Sequence, residues 1–391
     1  MSRILIIVNN LFFLNFFLSE YDAKDLYGPE ITDKDGALLD AHDSFYINTK
    51  SLLVLFQIMG VMPIMRVPKN AQTTKRTTFN WISKATLWAY LVWSLECIIV
   101  VKVGRERLAN FQSSANKRFD EVIYNIIFLS ILIPHFLLPI ASWRHGPQVA
   151  IFKNMWTHYQ LKYLKITDTP IVFPNLYSLT WGLCVFSWFI SFGVILSQHY
   201  LQEDFELWHS FAYYHIIAML DGFCSLWYIN CNAFGTASRG LAMNLHKALE
   251  AEHPALKVAQ YRHLIFSLVF AGRAYSNMYG IYCMVIFFTT TISLYGALSE
   301  ILEHGLSYKE MGLFVIVGYC MTLLYIICNE AYHASRKNVS FMSTYLIVLM
   351  QFKLTLLRQS ARKTIKSVIK SIFNTTTTML DDDGSGDDDD V

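Results

Sequence analysis

The sequence predicts an all-α membrane protein with seven transmembrane helices, its N-terminus in the cytosol and its C-terminus outside the cell. Three observations carry this. The 391 residues are 54% hydrophobic and 16% charged, with a mean hydropathy of +0.33, whereas soluble domains carry about 25% charged residues. Apolar stretches long enough to cross about 30 Å of hydrocarbon, which takes about 20 residues, recur along the chain. Lys and Arg segregate into alternate loops, the mark of cytosolic segments.

The elements follow in order. Residues 1–48 form a cytosolic N-terminal segment. Met1–Leu18 has the basic start and apolar run of a signal peptide, but Asn9, Asn10 and Asn15 interrupt it and no small-residue cleavage site follows. Residues 49–65 are apolar but short, contain Lys50 and end Gly60-Val61-Met62-Pro63; they read as a re-entrant or interfacial helix. The spans are then expected at 81–101, 122–143, 174–196, 207–234, 275–298, 311–333 and 339–357. The first six make up a six-helix transmembrane region, 81–333. Pro134 and Pro139 should kink the second span. The 235–274 loop keeps a helical period through Leu245-His246-Lys247-Ala248-Leu249-Glu250 and should prolong helices beyond the membrane. With the N-terminus inside, the inner loops hold 16 Lys and Arg residues and the outer loops 6. The tail, 358–391, ends in an acidic low-complexity run of the kind usually found in solvated disordered ends.

The chemistry-bearing residues exclude several classes. Walker, His-Glu-x-x-His, Cys-x-x-Cys and Gly-x-Ser-x-Gly patterns are absent, so no enzyme, cofactor or metal site is expected. The seven cysteines all fall in apolar stretches, as packing residues do. A net charge of +2 gives no reason to expect a nucleic-acid partner. No internal repeat or paired broken helices point to a transporter, and a G-protein-coupled receptor would need the opposite orientation. Polar groups inside spans are functional candidates by default: Glu96, His135, His209, His215, Asp221 and Asn230. Their simpler reading is a satisfied buried network. His215 and Asp221, six apart, do not share a helix face.

The last span reads Phe341-Met342-Ser343-Thr344-Tyr345-Leu346-Ile347-Val348-Leu349-Met350-Gln351-Phe352. Thr344 and Gln351, seven apart, stack on one face, and Val348 and Thr355 continue the stripe. One narrow, mildly polar face suits a helix that lines a pore with copies of itself; the alternative is that Thr344 and Gln351 only hydrogen-bond between helices.

This string, with Thr344, Tyr345, Gln351 and Phe352 as its signature, resembles the C-terminal motif of insect gustatory receptors. Longer blocks resemble the carbon-dioxide receptor branch of that family. They are Lys50–Arg66, Asn125–Pro139, Trp143–Ala150, Trp227–Ala237, Gly272–Gly280 and Ile327–Ala331. The resemblance implies the insect chemoreceptor channel fold and a ligand-gated cation channel in the plasma membrane of sensory neurons. It implies a heterotetramer of sister subunits in the lipid bilayer, each giving its 339–357 helix to the pore. Thr344, Val348, Gln351 and Thr355 would line that pore, with the Gln351 carbonyl able to meet a dehydrated cation. Tyr214, His215, Asp221 and Trp227 fall in the fourth span, where the family places its ligand pocket. The ligand implied is carbon dioxide or bicarbonate. Alternatives are another small volatile or taste ligand, or a non-conducting regulatory isoform. The last follows from a departure: the family's long cytosolic segment before the pore helix is reduced here to 334–340. Leu264–Phe270 is also more apolar than in the family.

Overall fold

A computed structural model describes residues 43–68, 75–114, 119–201, 205–249, 280–304 and 314–334, with isolated positions at 261, 264, 268, 311, 312 and 336. The described chain is mostly helical. In order come α1 (Ser44–Ile58), β1 (Ile64–Pro68), β2 (Lys75–Phe79), α2 (Lys84–Ser114), α3 (Phe119–Arg144), α4 (Gly146–Thr167), α5 (Leu176–Leu201), α6 (His209–Leu249) and α7 (Gly280–His304). α8 (Phe314–Ala334) follows. Lys84–Gln112, Asn125–Arg144, Leu176–Leu201 and Phe314–Ala334 are long and apolar enough to cross a membrane, and Ile286–Gly296 is a shorter apolar stretch. The 339–357 helix and its pore residues lie outside the described residues, as do residues 1–42 and the tail.

α5 shows why these helices form a bundle. Thr180, Cys184, Ser187, Ser191 and Gln198 are buried, while Trp181, Phe186, Phe189, Phe192 and Tyr200 face outward. In lipid, bulky apolar side chains cost nothing outside, and small or hydroxylated ones let helices approach and hydrogen-bond. Ser187 and Ser191 donate to carbonyls four residues back, at 2.8 and 2.7 Å. α5 packs on α6 and on α1, and α2 packs on α3. α3 runs unbroken through Pro134 and Pro139. α6 continues to Leu249, the prolongation that the period after residue 235 predicts.

The amphiphilic stretch near the N-terminus differs from the expected 49–65 helix. The helix is Ser44–Ile58. It starts early because Asp43 caps it, accepting from the Tyr46 amide at 3.3 Å. It stops early because the chain turns at Gly60, whose φ is +71°. An added Cβ there would also lie 3.1 Å from the Ala89 backbone. Beyond the turn, β1 and β2 pair antiparallel with Ile64 opposite Phe79, a hairpin that an all-α reading lacks. Asn154 of α4 grips β2: its amide donates to the Thr77 carbonyl and accepts from the Thr77 amide, both at 2.9 Å. Gly146 starts α4 against Phe79, where a Cβ would come within 2.5 Å of the ring.

Candidate functional site

The four predicted pocket residues sit on α6, but they do not converge. Tyr214 is half-buried and meets Trp188 of α5 edge-on at 6.1 Å. Asp221 is buried; its carboxylate accepts from Ser191 of α5 at 2.9 Å and from Tyr319 of α8 at 2.8 Å. Trp227 donates its indole N–H to the Ile327 carbonyl of α8 at 3.1 Å. His215 faces the other way. Its Nε2 donates to the Met59 carbonyl at 3.1 Å, and its ring lies 5.3 Å from that of His135. The six-residue separation of His215 and Asp221 thus divides them between two clusters.

The Asp221 cluster is a three-helix clasp. Both carboxylate oxygens already have hydroxyl partners, so the group is suited to hold α5, α6 and α8 in register. Beside it, Ser187 and Ser225 are 3.1 Å apart across α5 and α6, and Gln198 donates to the Gly312 carbonyl at 3.0 Å. The sequence carries no sign that Tyr319 is a partner; Ser191 is marked only by the small-residue stripe of α5.

The His215 cluster closes the end of α1. The last carbonyls of a helix lack intrahelical donors. Here three side chains supply them: Trp88 of α2 donates to Ile58 at 3.1 Å, His215 of α6 to Met59, and Trp143 of α3 to Gly60 at 3.0 Å. Donation through Nε2 leaves His215 Nδ1 as an acceptor, which has no hydrogen-bond partner among the described residues; neither does either ring nitrogen of His135. Buried polar atoms are normally paired, so these nitrogens are exceptions.

The other candidates are scattered. His209 accepts from the Glu206 amide at 3.3 Å through Nδ1, so Nε2 carries the proton toward Glu106 at 3.1 Å. One Glu96 carboxylate oxygen is buried with no partner among the described residues. Asn230 donates to the Leu226 carbonyl at 2.7 Å. A cleft of about 570 Å³ along α2 is lined by Cys97, Ile98, Val101, Lys102, Arg105 and Glu106, and by none of the four predicted pocket residues. Among the described residues no cluster of His, Cys, Asp and Glu could hold a metal, and Cys97, Cys184, Cys224, Cys231, Cys320 and Cys328 form no disulfide there.

The described residues thus form a bundle of helices, four of them long and apolar enough to cross a membrane, held by buried hydroxyl clasps. The chain belongs to the 7tm chemosensory receptor family, whose model matches residues 49–343. It is 56% identical to gustatory and odorant receptor 22 of Anopheles gambiae, over 86% of this chain and 84% of that one. It is 55% identical to gustatory and odorant receptor 21a of Drosophila melanogaster, over 83% and 84%. Gustatory and odorant receptor 24 of Anopheles gambiae is 25% identical over 78% of this chain. The insect olfactory receptor OR5 from Machilis hrabei shares the fold, with a TM-score of 0.57 at 13% identity over 80% of this chain and 86% of that one. The protein is therefore a multi-pass membrane chemosensory receptor of the insect gustatory and odorant type, outside the enzyme families.

Proposed function

We propose that this chain is one subunit of a heteromeric, ligand-gated, non-selective cation channel that detects carbon dioxide in the plasma membrane of sensory neurons. The observation that carries the reading is more than half identity to gustatory and odorant receptors 22 and 21a across most of both chains, together with the blocks that resemble the carbon-dioxide branch. The sister subunits, the tetramer and the inside N-terminus belong to this proposal, as do pore lining by Thr344, Val348, Gln351 and Thr355 and a pocket that includes Tyr214, His215, Asp221 and Trp227.

Carbon dioxide limits what such a pocket can do. With three heavy atoms and about −1.5 kcal/mol per atom at best, reversible binding cannot exceed roughly −4.5 kcal/mol. That corresponds to a dissociation constant near a millimolar, about −4.1 kcal/mol. Several subunits acting together are then needed for a large shift in gating. Of the two clusters, the His135–His215 one has ring nitrogens without partners among the described residues, whereas the oxygens of Asp221 are occupied.

The test is whole-cell current from this chain with its sister subunits during a carbon-dioxide step at clamped external pH. A current that disappears when this chain is omitted supports the reading. Silence that ends when the family's segment is restored between residues 334 and 340 supports the regulatory isoform instead. Occupancy of the sequon Asn374-Thr375-Thr376 by glycan tests the outside C-terminus.

A further inference from the structure

Lys153 stands apart from every group used above. It lies on α4, between candidate spans and outside them, and is only 4% exposed. Its Nζ sits 4.5 Å over the Phe45 ring and has no hydrogen-bond partner among the described residues. The neighbouring anion, Asp43, is already engaged. Its oxygens receive Arg66 at 3.0 Å, Thr157 at 3.0 Å, Gln160 at 3.1 Å and the Tyr46 amide at 3.3 Å. Burial therefore lowers the Lys153 amine to about 8, with Asp43 pulling the other way. A group with that value is roughly one-tenth neutral at pH 7.

Two further donors on α4 share the defect. Trp156 stacks on the same Phe45 ring at 4.7 Å, and Tyr159 meets Trp156 edge-on at 5.7 Å. The Trp156 indole N–H and the Tyr159 hydroxyl are both buried without partners among the described residues. Three donors lack acceptors here, and buried polar groups are normally paired.

We propose that Lys153 is a covalent docking site for carbon dioxide, which it takes up as a carbamate. The idea rests on the carbon-dioxide reading above and adds to it a site on α4. The lone pair of the neutral Nζ attacks the carbon. A C–N bond forms, one C=O π pair moves onto oxygen, and one N–H proton leaves to solvent. Nothing is oxidised or reduced. The side chain goes from neutral to singly negative beside Asp43, where it competes for Arg66 and loosens the Asp43 cap of α1. Because α1 packs against α5 and α6, the change reaches the helices of the candidate pocket. A covalent bond also escapes the ceiling on reversible binding of a three-atom ligand.

The experiment uses the full chain with its sister subunits in membranes, exposed to isotopically labelled carbon dioxide at fixed pH. Carbamates are then trapped by alkylation with triethyloxonium and located by peptide mass spectrometry. The expected result is a labelled adduct on the Lys153 peptide, absent from Lys153→Arg, with most of the carbon-dioxide current lost in that variant. An unmodified Lys153 peptide at gas levels that open the channel overturns the proposal and leaves the carbon-dioxide reading standing. An adduct on Lys153 in a channel that never responds to the gas supports the site and removes that reading. Should Lys153→Arg fail to reach the membrane, the wild-type adduct still decides.

Discussion

The two ends of α1 solve the same problem with opposite chemistry. At the first end, Asp43 offers a full negative charge, and the neighbours answer with a guanidinium, a hydroxyl and an amide. Arg66 also lies 4.1 Å over the Tyr46 ring. Gln160 completes the cap by accepting from the Phe45 amide at 3.1 Å and the Ser44 hydroxyl at 2.8 Å. At the other end, three bare carbonyls are met by neutral N–H donors from Trp88, His215 and Trp143. The first end lies against α4 and the hairpin, outside the long apolar helices; the second lies among α2, α3 and α6. A charge is affordable where a counter-charge and several donors surround it, and expensive among apolar helices. Dipoles with matched donors do the same capping there without a net charge.

The largest effect should come from breaking the charged end. Asp43→Ala leaves Arg66 without its carboxylate and strands the Gln160 and Thr157 donors. The expected cost is about 3–5 kcal/mol, the range for removing one partner of a buried pair. The melting temperature of the detergent-solubilised receptor reads it. Adding Arg66→Met to Asp43→Ala should recover part of that loss; a fully additive double variant would show that the two residues are not coupled.

The neutral end should be cheaper to break, donor by donor. Trp143→Phe and His215→Phe each leave one buried carbonyl unmet, at about 1–3 kcal/mol. Trp88→Phe should cost less, because Trp88 is exposed on the bundle surface while Trp143 is buried. If all three cost the same, the donors matter less than the ring packing of Trp143 on Tyr90 and Trp93.

Gly60→Ala tests the turn between the helix end and the hairpin. A side chain at φ +71° next to the Ala89 backbone should destabilise by about 1–2 kcal/mol, and Gly60→Asn by less, since asparagine tolerates the left-handed region. Equal melting temperatures for the two variants would show that crowding by Ala89, not the backbone angle, sets the cost.

A separate test, read as a dependence on pH, is at Lys153. Its amine is lowered from 10.5 to about 8 in the folded protein, so between those values the unfolded chain binds more protons. Stability from this group then rises with pH across that window and is flat below 8. Lys153→Met should remove the slope, and the difference between wild-type and variant melting curves from pH 8 to 10.5 isolates it from the tyrosines. A wild-type slope that survives in Lys153→Met would place it elsewhere.

Much of this was legible in residues alone. The positions of six of the expected spans match helices α2, α3, α5, α6, α7 and α8 within a few residues at their starts, because lipid imposes length and apolarity on each helix separately. Asp43 before Ser44, and Gly60 with Pro63, mark a helix start and stop that a reading by apolarity at 49–65 passes over. The separation of His215 from Asp221 follows from helix period. The pore stripe at Thr344, Val348, Gln351 and Thr355 is a pattern of the sequence alone.

What the amino-acid sequence determined by itself is everything local: which stretches are helices, which faces of them are small or bulky, and which family the chain belongs to. The tertiary structure decided the partners. His215 finds the carbonyl of Met59 across 156 positions, and Gln160 finds Asp43 across 117. The acceptors at the end of α1 are backbone carbonyls, identical at every residue, so no side-chain identity announces them. Asp221 could have met any hydroxyl on its face of α6 until packing put Tyr319 and Ser191 there. Long-range hydrogen bonds depend on where helices cross, and crossing is settled by the summed packing of whole faces rather than by any one residue.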